Sequence, residues 1–435
     1  MKLSKFWLLM AALLAVRLVL MVITPVFEPS EARYAAISAN MARSGDFVVP
    51  HFTYDLEYQS FDGKPPLVFQ VGGLFCRALG MDAPWKLQFA VRLFPLLSAL
   101  LLLGILYHTI RRLADADTGR LAVLVCATST AFFLSAGIAM TDMSLACSIA
   151  GALLCYRLYL LDGFAVRHAL AVGALLGMGM LVKGPVALVM FGLPVLADAI
   201  CNRRWKGILN WRWIVVLPLF LAIAVPWFVL VEMRNPGSVW YFFYNENFMR
   251  FISHDYGDKY GAGREAFRGV SVIWAFVSTL PWALLPAWEL FKAVRRDGFS
   301  ALRVSRPGFF AISIIAIIGF WCLTSRVLIY YLFPVIPLFA AWAVLRFQGL
   351  KLWRLATPCA VMSMIVAICV YVIGMEFSDK MLGDRTEFSP MCNHYAYEFY
   401  HGRLPDAKLK EYRERRDQYI RWRRENKKSG KERAK

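Results

Sequence analysis

Long apolar segments alternate with short charged ones along most of the 435-residue chain. Eleven of the apolar segments approach the length of about 20 residues that crosses a bilayer as a helix, and a count between nine and thirteen fits the pattern. They comprise residues 6–27, 89–110, 121–138, 144–161, 169–181, 185–201, 214–231, 270–291, 309–323, 328–345 and 356–374. The pattern therefore predicts an all-α, multi-pass membrane protein.

Two longer polar stretches, residues 27–88 and 232–269, interrupt the alternation. With the N-terminus inside, Lys and Arg gather in every second connection, which is typical of cytoplasmic loops. Such connections contain Arg111, Arg112, Arg120, Arg203, Arg204, Arg295, Arg296 and Arg346. This orientation puts both polar stretches outside and predicts amphipathic juxtamembrane helices in the first. We expect a membrane domain over residues 1–375 and a short basic tail over residues 376–435.

The composition narrows the class of protein. Hydrophobic residues make up 59% of the chain and charged residues 18%, which excludes an intrinsically disordered protein. Nine cysteines in 435 residues are too few for a disulfide-based scaffold. The net charge of +19 comes from short basic connections between apolar segments, so it indicates membrane lipids as partners and no nucleic acid.

The first polar stretch contains the densest candidate chemistry. Pro29 and Ser30 can start a helix, which places Glu31 in its first turn near the membrane surface, with Arg33 and Tyr34 following. A turn into an extended segment and a Pro-rich turn come next, at residues 44–50 (SGDFVVP) and 61–66 (FDGKPP). An external active site would be built from such segments.

The order of these motifs resembles the GT-C glycosyltransferases of the protein-mannosyltransferase and aminoarabinose-transferase superfamily. The similarity continues through residues 140–143 (MTDM), 182–185 (VKGP), 226–227 (PW), 241–251 (YFFYNENFMRF), 281–282 (PW) and 325–334 (SRVLIYYLFP). The resemblance implies the GT-C fold and inverting transfer of a sugar from undecaprenyl phosphate. The acceptor would be a lipid A-like glycolipid, a glycan or a protein at the periplasmic face of the bacterial inner membrane.

The resemblance also assigns roles to residues. The leaving group is a phosphate, and cations stabilise its developing charge; the candidates are Lys64, Arg250, Arg33 and Lys183. Glu31 is the candidate general base, because a carboxylate near apolar helices can have a raised pKa, and Asp142 is the second catalytic carboxylate. Substrate-binding roles fall to Tyr34, Tyr331 and Glu246.

The sequence departs from this family at several positions. Ser30 stands where many relatives have Asp, and Glu28 is a candidate substitute. Gly63 and Asn247 replace the Glu and His of the aminoarabinose branch, so we expect no tightly bound metal, although a loosely bound divalent cation is compatible with the sequence. The large external C-terminal domain of that branch is replaced by the short tail. A transporter or lipid flippase, and a catalytically weakened relative, stay open as alternatives.

Overall fold

The computed structural model describes most of the chain. The described residues are 3–54, 57–252, 259–260, 265–297, 308–347, 352–382, 394–414, 417–418 and 421.

Helices dominate the first half of the chain, as predicted. The elements are α1 (Leu3–Ile23), α2 (Ser30–Ser44), β1 (His51–Tyr54), β2 (Glu57–Ser60), α3 (Leu67–Leu79), α4 (Pro84–Leu113), α5 (Ala116–Ala127), α6 (Thr130–Ser135), α7 (Asp142–Leu161), α8 (Val166–Lys183) and α9 (Val186–Asn202).

The second half continues in the same way. Its helices are α10 (Trp205–Ile208), α11 (Val216–Arg234), α12 (Ser238–Trp240), α13 (Arg250–Ile252), α14 (Val270–Ser278), α15 (Leu284–Asp297), α16 (Phe309–Cys322), α17 (Val335–Arg346), α18 (Trp353–Leu382) and α19 (His394–His401). A π-helical segment, Tyr241–Met249, joins α12 to α13, and 3₁₀ turns occupy Trp211–Val215 and Ile329–Leu332.

Six helical segments of the described chain are long and apolar enough to cross a bilayer. They are residues 3–23, 84–113, 142–161, 166–183, 205–234 and 353–376. The prediction of an all-α, multi-pass membrane protein is therefore confirmed. The count of eleven spans stays a prediction, because α9, α16 and α17 are apolar but shorter than 18 residues.

Two of the predicted spans are broken helices. Residues 121–138 form two helices, α5 and α6. Residues 270–291 form α14 and α15, and Pro281 lies between them, because its ring nitrogen has no hydrogen to donate to a helical hydrogen bond. The two breaks face each other: the Thr130 amide donates to the Leu280 carbonyl at 2.9 Å, and Trp282 Nε1 donates to Thr128 Oγ1 at 2.9 Å. Backbone and side-chain polar groups at the two breaks thus act as hydrogen-bond partners for each other.

The first polar stretch forms a layer of short elements. Helix α2 begins at Ser30, as the sequence predicts, and α3 follows the Pro-rich turn. The predicted turn and extended segment, residues 44–50, lead into an antiparallel hairpin of β1 and β2, in which His51 pairs with Ser60. Helices α2 and α3 approach closely, because a Cβ on Gly73 would lie 2.8 Å from the Ser38 carbonyl oxygen.

The C-terminal segment packs against this layer. Glu398 of α19 is buried and accepts hydrogen bonds from Asn40 Nδ2 at 2.5 Å and from the Thr53 amide at 3.0 Å. Arg43 donates to the Phe399 carbonyl at 2.6 Å. Helix α18 runs through the predicted domain boundary near residue 376, and residues 422–435 of the basic tail lie outside the described part.

Candidate active site

A cavity of about 300 Å³ opens between α8, α9, the π-helical segment and the end of α16. Its charged and polar lining consists of Lys64, Lys183, Glu246, Asn247, Arg250, Thr324, Arg326 and Tyr331. The rest of its wall is apolar and comes from Pro185, Val186, Val189, Phe242, Phe248, Ile252, Phe320 and Trp321. The cavity therefore joins a cationic region to a surface suited to a hydrocarbon chain.

Three predicted site residues form one charge network at this cavity. Arg250 Nη1 lies 2.9 Å from Glu246 Oε2, one turn away on the same helical segment, and Lys64 Nζ lies 3.5 Å from that oxygen. Lys64 is held by the turn before α3, where its ammonium also donates to the Gly63 carbonyl at 2.7 Å. Glu246 thus positions two cations side by side.

The electrostatics of Lys64 follow from its surroundings. Burial lowers the pKa of Lys64 to about 8, because the neutral amine loses less solvation than the ammonium; Glu246 opposes this shift and Arg250 adds to it. A phosphate entering the cavity would supply the negative charge that this cluster lacks.

A second predicted pair lies on the neighbouring wall. Asp142 is the first residue of α7, Lys183 is the last of α8, and Lys183 Nζ donates to Asp142 Oδ1 at 2.5 Å. The same ammonium lies 4.3 Å from the centroid of the Tyr331 ring, a cation–π contact. The structure therefore brings Asp142, Lys183 and Tyr331 together, although they are far apart in sequence.

Tyr34 and Arg33 lie behind this pair. Tyr34 is buried on α2, and its ring centroid lies 5.3 Å from that of Phe69. Its hydroxyl interacts electrostatically with the charged side chains of Lys183 and Asp142. The Arg33 guanidinium lies 5.5 Å from the Tyr34 ring and 5.8 Å from the Tyr395 ring. Neither residue lines the cavity itself, so their predicted contacts with substrate have no direct support in this geometry.

Glu31 occupies a separate, buried site. Its carboxylate accepts from Arg92 Nε at 2.8 Å, Arg92 Nη2 at 3.0 Å and the amides of Phe27 and Ala139 at 3.1 Å each. Burial raises the pKa of Glu31, but the Arg92 guanidinium outweighs it and lowers the pKa below its usual range. The sequence predicts Glu31 as the base on the expectation of a raised pKa, and the lowered pKa in this geometry favours a structural role instead.

Glu28, the candidate substitute for the missing aspartate, faces the C-terminal segment. Its Oε1 accepts from the Ala396 amide at 2.7 Å, and burial raises the pKa of Glu28 to about 8. It does not line the cavity. Glu28 therefore does not supply the carboxylate that is missing at position 30, where this chain has Ser30.

The cavity also bears on the prediction of no tightly bound metal. Within the described residues, no three His, Cys, Asp or Glu side chains come together as a ligand set. Glu246 is already flanked by Lys64 and Arg250, whose positive charges oppose a divalent cation at that carboxylate. The residues present fit a phosphate better than a metal ion.

Two residues of this region were not assigned a role from the sequence. Arg92 lies inside an apolar span, and an ionisable residue there is itself a signal of a buried partner. Arg326 lines the cavity within a recognised motif, and its Nη2 lies 3.3 Å from Glu265 Oε1. Neither partner could be identified from spacing, because both lie about 60 residues away along the chain.

Gly184 connects the two walls of the cavity. It has a φ of +85°, and an added Cβ would overlap the Phe242 ring. We expect Gly184→Ala to lower the activity of this site at least about tenfold, since both the Lys183 backbone and the Phe242 wall must shift. Initial rates in proteoliposomes measure this effect.

The matched control for Gly184→Ala is Gly163→Ala. Gly163 also has a positive φ, +62°, but no atom lies within 4 Å of its added Cβ. Gly163→Ala bears the backbone cost of about 1–2 kcal/mol for a side chain in the left-handed region. Gly184 has a ψ of −150°, a region nearly restricted to glycine, where the cost is about 1–3 kcal/mol. Both variants therefore lower the thermal unfolding midpoint, and equal activities in the two would contradict the role given to the Phe242 contact.

Comparison with known proteins identifies the family. Residues 64–230 match the family described as dolichyl-phosphate-mannose-protein mannosyltransferase. An undecaprenyl phosphate-α-4-amino-4-deoxy-L-arabinose arabinosyl transferase of Edwardsiella ictaluri is 30% identical over 305 residues, 68% of this chain and 51% of that protein. The corresponding protein of Yersinia enterocolitica is 27% identical over 383 residues, 84% of this chain and 65% of its own length. The chain thus spans between half and two thirds of these relatives.

Solved structures agree on the fold. ArnT from Cupriavidus metallidurans bound to undecaprenyl phosphate superposes with a TM-score of 0.67 at 24% identity, covering 95% of this chain and 69% of ArnT. Its apo state gives a TM-score of 0.64 at 23% identity. These structures therefore show that the chain shares their fold.

Proposed function

Because the chain resembles GT-C glycosyltransferases in sequence and fold, we propose that it transfers a sugar from undecaprenyl phosphate to an acceptor, with inversion at the anomeric carbon. The reaction would take place at the periplasmic face of the bacterial inner membrane. The activity for which its relatives are named supports undecaprenyl phosphate as the carrier and an aminoarabinose as a candidate sugar. The acceptor would be a glycolipid, a glycan or a protein.

One observation carries the proposal: three cations and a carboxylate converge where an apolar cavity ends. Lys64, Arg250 and Lys183 line the same cavity, and Asp142 contacts Lys183. The apolar wall offers space for an isoprenoid tail, while the cations suit the phosphate that ends it. A polyprenyl-phosphate sugar combines both features in one molecule.

The chemistry then follows from these positions. An acceptor oxygen attacks the anomeric carbon, the bond from that carbon to the phosphate oxygen breaks, and polyprenyl phosphate leaves. Lys64 and Arg250 stabilise the charge that develops on the phosphate. Lys183 orients Asp142, 2.5 Å away, toward the reacting groups.

The role of Asp142 depends on the acceptor. A hydroxyl acceptor must lose a proton, and we assign this role to Asp142, which contacts Lys183 at the cavity. Glu246 lines the cavity itself, but its carboxylate is already paired with Lys64 and Arg250. A phosphate acceptor arrives without that proton, and Asp142 would then stabilise the positive charge on the sugar. In either case Glu31 acts indirectly: its carboxylate accepts a hydrogen bond from the amide of Ala139, three residues before Asp142.

Reconstitution tests the proposed function. Purified protein in proteoliposomes, given undecaprenyl-phosphate sugars and candidate acceptors, is expected to form a glycosylated product detected by mass spectrometry. Movement of the donor between leaflets without product would instead establish a flippase. Envelope glycolipids and glycoproteins from a deletion strain, compared by mass spectrometry, identify the acceptor class.

The pH dependence of transfer tests Lys64. Its pKa of about 8 means that the free enzyme loses the ammonium as pH rises through that value, so donor binding weakens above it. We expect kcat/KM to fall on the alkaline side of about pH 8, because kcat/KM reports the free enzyme. In Lys64→Arg the guanidinium stays charged and the alkaline limb moves upward. An unchanged limb in that variant assigns it to another group.

A further inference from the structure

The helix that contains Glu246 presents a row of exposed apolar side chains on a second face. Trp240, Tyr244, Phe248 and Ile252 are 67%, 39%, 57% and 64% exposed. They recur every fourth residue, which matches the wider turn of a π-helix, so they lie along one side. The rings of Trp240 and Tyr244 stack at 4.7 Å between centroids, and those of Tyr244 and Phe248 at 6.1 Å.

The other face of this helix points into the protein. Phe242, Glu246 and Arg250 share the same four-residue spacing and line the cavity. Phe248 and Ile252 belong to both surfaces, because they are exposed and also line the cavity. The exposed row is therefore continuous with the cavity's apolar wall.

The row is also fixed to a lipid-facing span. The end of α11 exposes Val229, Leu230 and Met233, as expected for a helix in contact with acyl chains. Glu232 of α11 accepts from the amides of Gly237 at 2.8 Å and Val239 at 3.0 Å. The row thus begins one short turn after α11, and these two hydrogen bonds connect it to the end of that span.

We propose that Trp240, Tyr244, Phe248 and Ile252 form an interfacial membrane anchor, which we call the aromatic row. In the membrane, the aromatic row contacts the boundary between the headgroups and the acyl chains of the bilayer. Large apolar patches on a surface mark interaction sites, and exposed Trp and Tyr are typical of this boundary. The anchor holds the mouth of the cavity at the depth where a lipid-linked phosphate lies.

Photo-crosslinking tests the contact directly. p-Benzoylphenylalanine replaces Trp240 or Tyr244 in the full chain, reconstituted in phosphatidylethanolamine–phosphatidylglycerol vesicles. Leu230 in the span is the positive control and Glu57 on the hairpin the negative one. Lipid adducts at positions 240 and 244 comparable to those at 230 are expected. Yields as low as those at position 57 would overturn the anchor.

The effect on donor use rests on the proposed function. Trp240→Ser and Tyr244→Ser are expected to raise KM for a full-length polyprenyl donor roughly 5- to 10-fold, with kcat and the KM of a water-soluble short-chain donor unchanged. Trp240→Phe keeps the apolar contact and the native KM. Equal increases for both donors would overturn the anchor. Lipid adducts at positions 240 and 244, together with a wild-type chain that transfers no sugar, would contradict only the proposed function.

Discussion

Asp142→Asn and Lys64→Ala are each expected to lower kcat/KM for sugar transfer by about 10²- to 10³-fold while the protein still folds. Asn at position 142 cannot take a proton or carry charge, and Ala at position 64 removes a cation from the phosphate. Lys64 lines the cavity, 3.5 Å from Glu246, and Asp142 lies 2.5 Å from Lys183, which also lines it. Steady-state transfer in proteoliposomes measures the loss.

The matched controls for this pair are Asp82→Asn and Lys86→Ala. These residues form a partly exposed ion pair at 2.8 Å, spaced four residues apart, and they do not line the cavity. Such surface pairs contribute about 0–1 kcal/mol, so transfer and the unfolding midpoint should stay near wild type. Near-normal kcat/KM in both Asp142→Asn and Lys64→Ala would remove the site assignment.

Arg92→Met is expected to destabilise the protein by about 3–5 kcal/mol, the usual cost of leaving one partner of a buried ion pair uncompensated. Arg92 and Glu31 side chains are 1% and 4% exposed. Arg92 also donates to the carbonyls of Met21, Thr24 and Pro25, so its loss leaves several polar groups unpaired. The thermal unfolding midpoint in detergent measures the effect.

The double variant Glu31→Met/Arg92→Met separates structure from catalysis. Replacing both members of a buried pair with apolar residues is often neutral for stability. If Glu31 only holds the fold, the double variant is expected to be more stable than Arg92→Met, because no carboxylate is left unpaired, and to keep measurable transfer activity. It stays less stable than wild type, because the carbonyls of Met21, Thr24 and Pro25 still lack their donor. If Glu31 is the base, the double variant folds but stays inactive, and Glu31→Gln is inactive as well. The two roles therefore give opposite activities in a folded protein.

Local patterns predicted several parts of the site. The helix that begins at Ser30 and the turn that carries Lys64 both follow from nearby Pro and Ser residues, and the structure has them there. Glu246 and Arg250 are four residues apart, and a helical turn brings residues at this spacing into contact. These features depend on neighbours along the chain.

The pairings across the fold could not be read in the same way. Asp142 and Lys183 are 41 residues apart, and Glu31 and Arg92 are 61 apart. A charged residue in or beside an apolar segment indicates a buried partner. Only the packing of α2, α4, α7 and α8 determines which residue that partner is. This is why Glu31 was assigned a catalytic role that its environment does not favour.

The sequence by itself determined that this chain crosses a membrane many times, that its polar stretches gather near one end of the spans, and that its motifs are those of GT-C glycosyltransferases. Partition between water and lipid follows from composition and order, so it needs no tertiary information. The tertiary structure alone decided which cations share the cavity, that Arg92 holds Glu31, and that α19 packs against α2. These contacts depend on distance in space, and many arrangements of the same helices satisfy the same hydropathy.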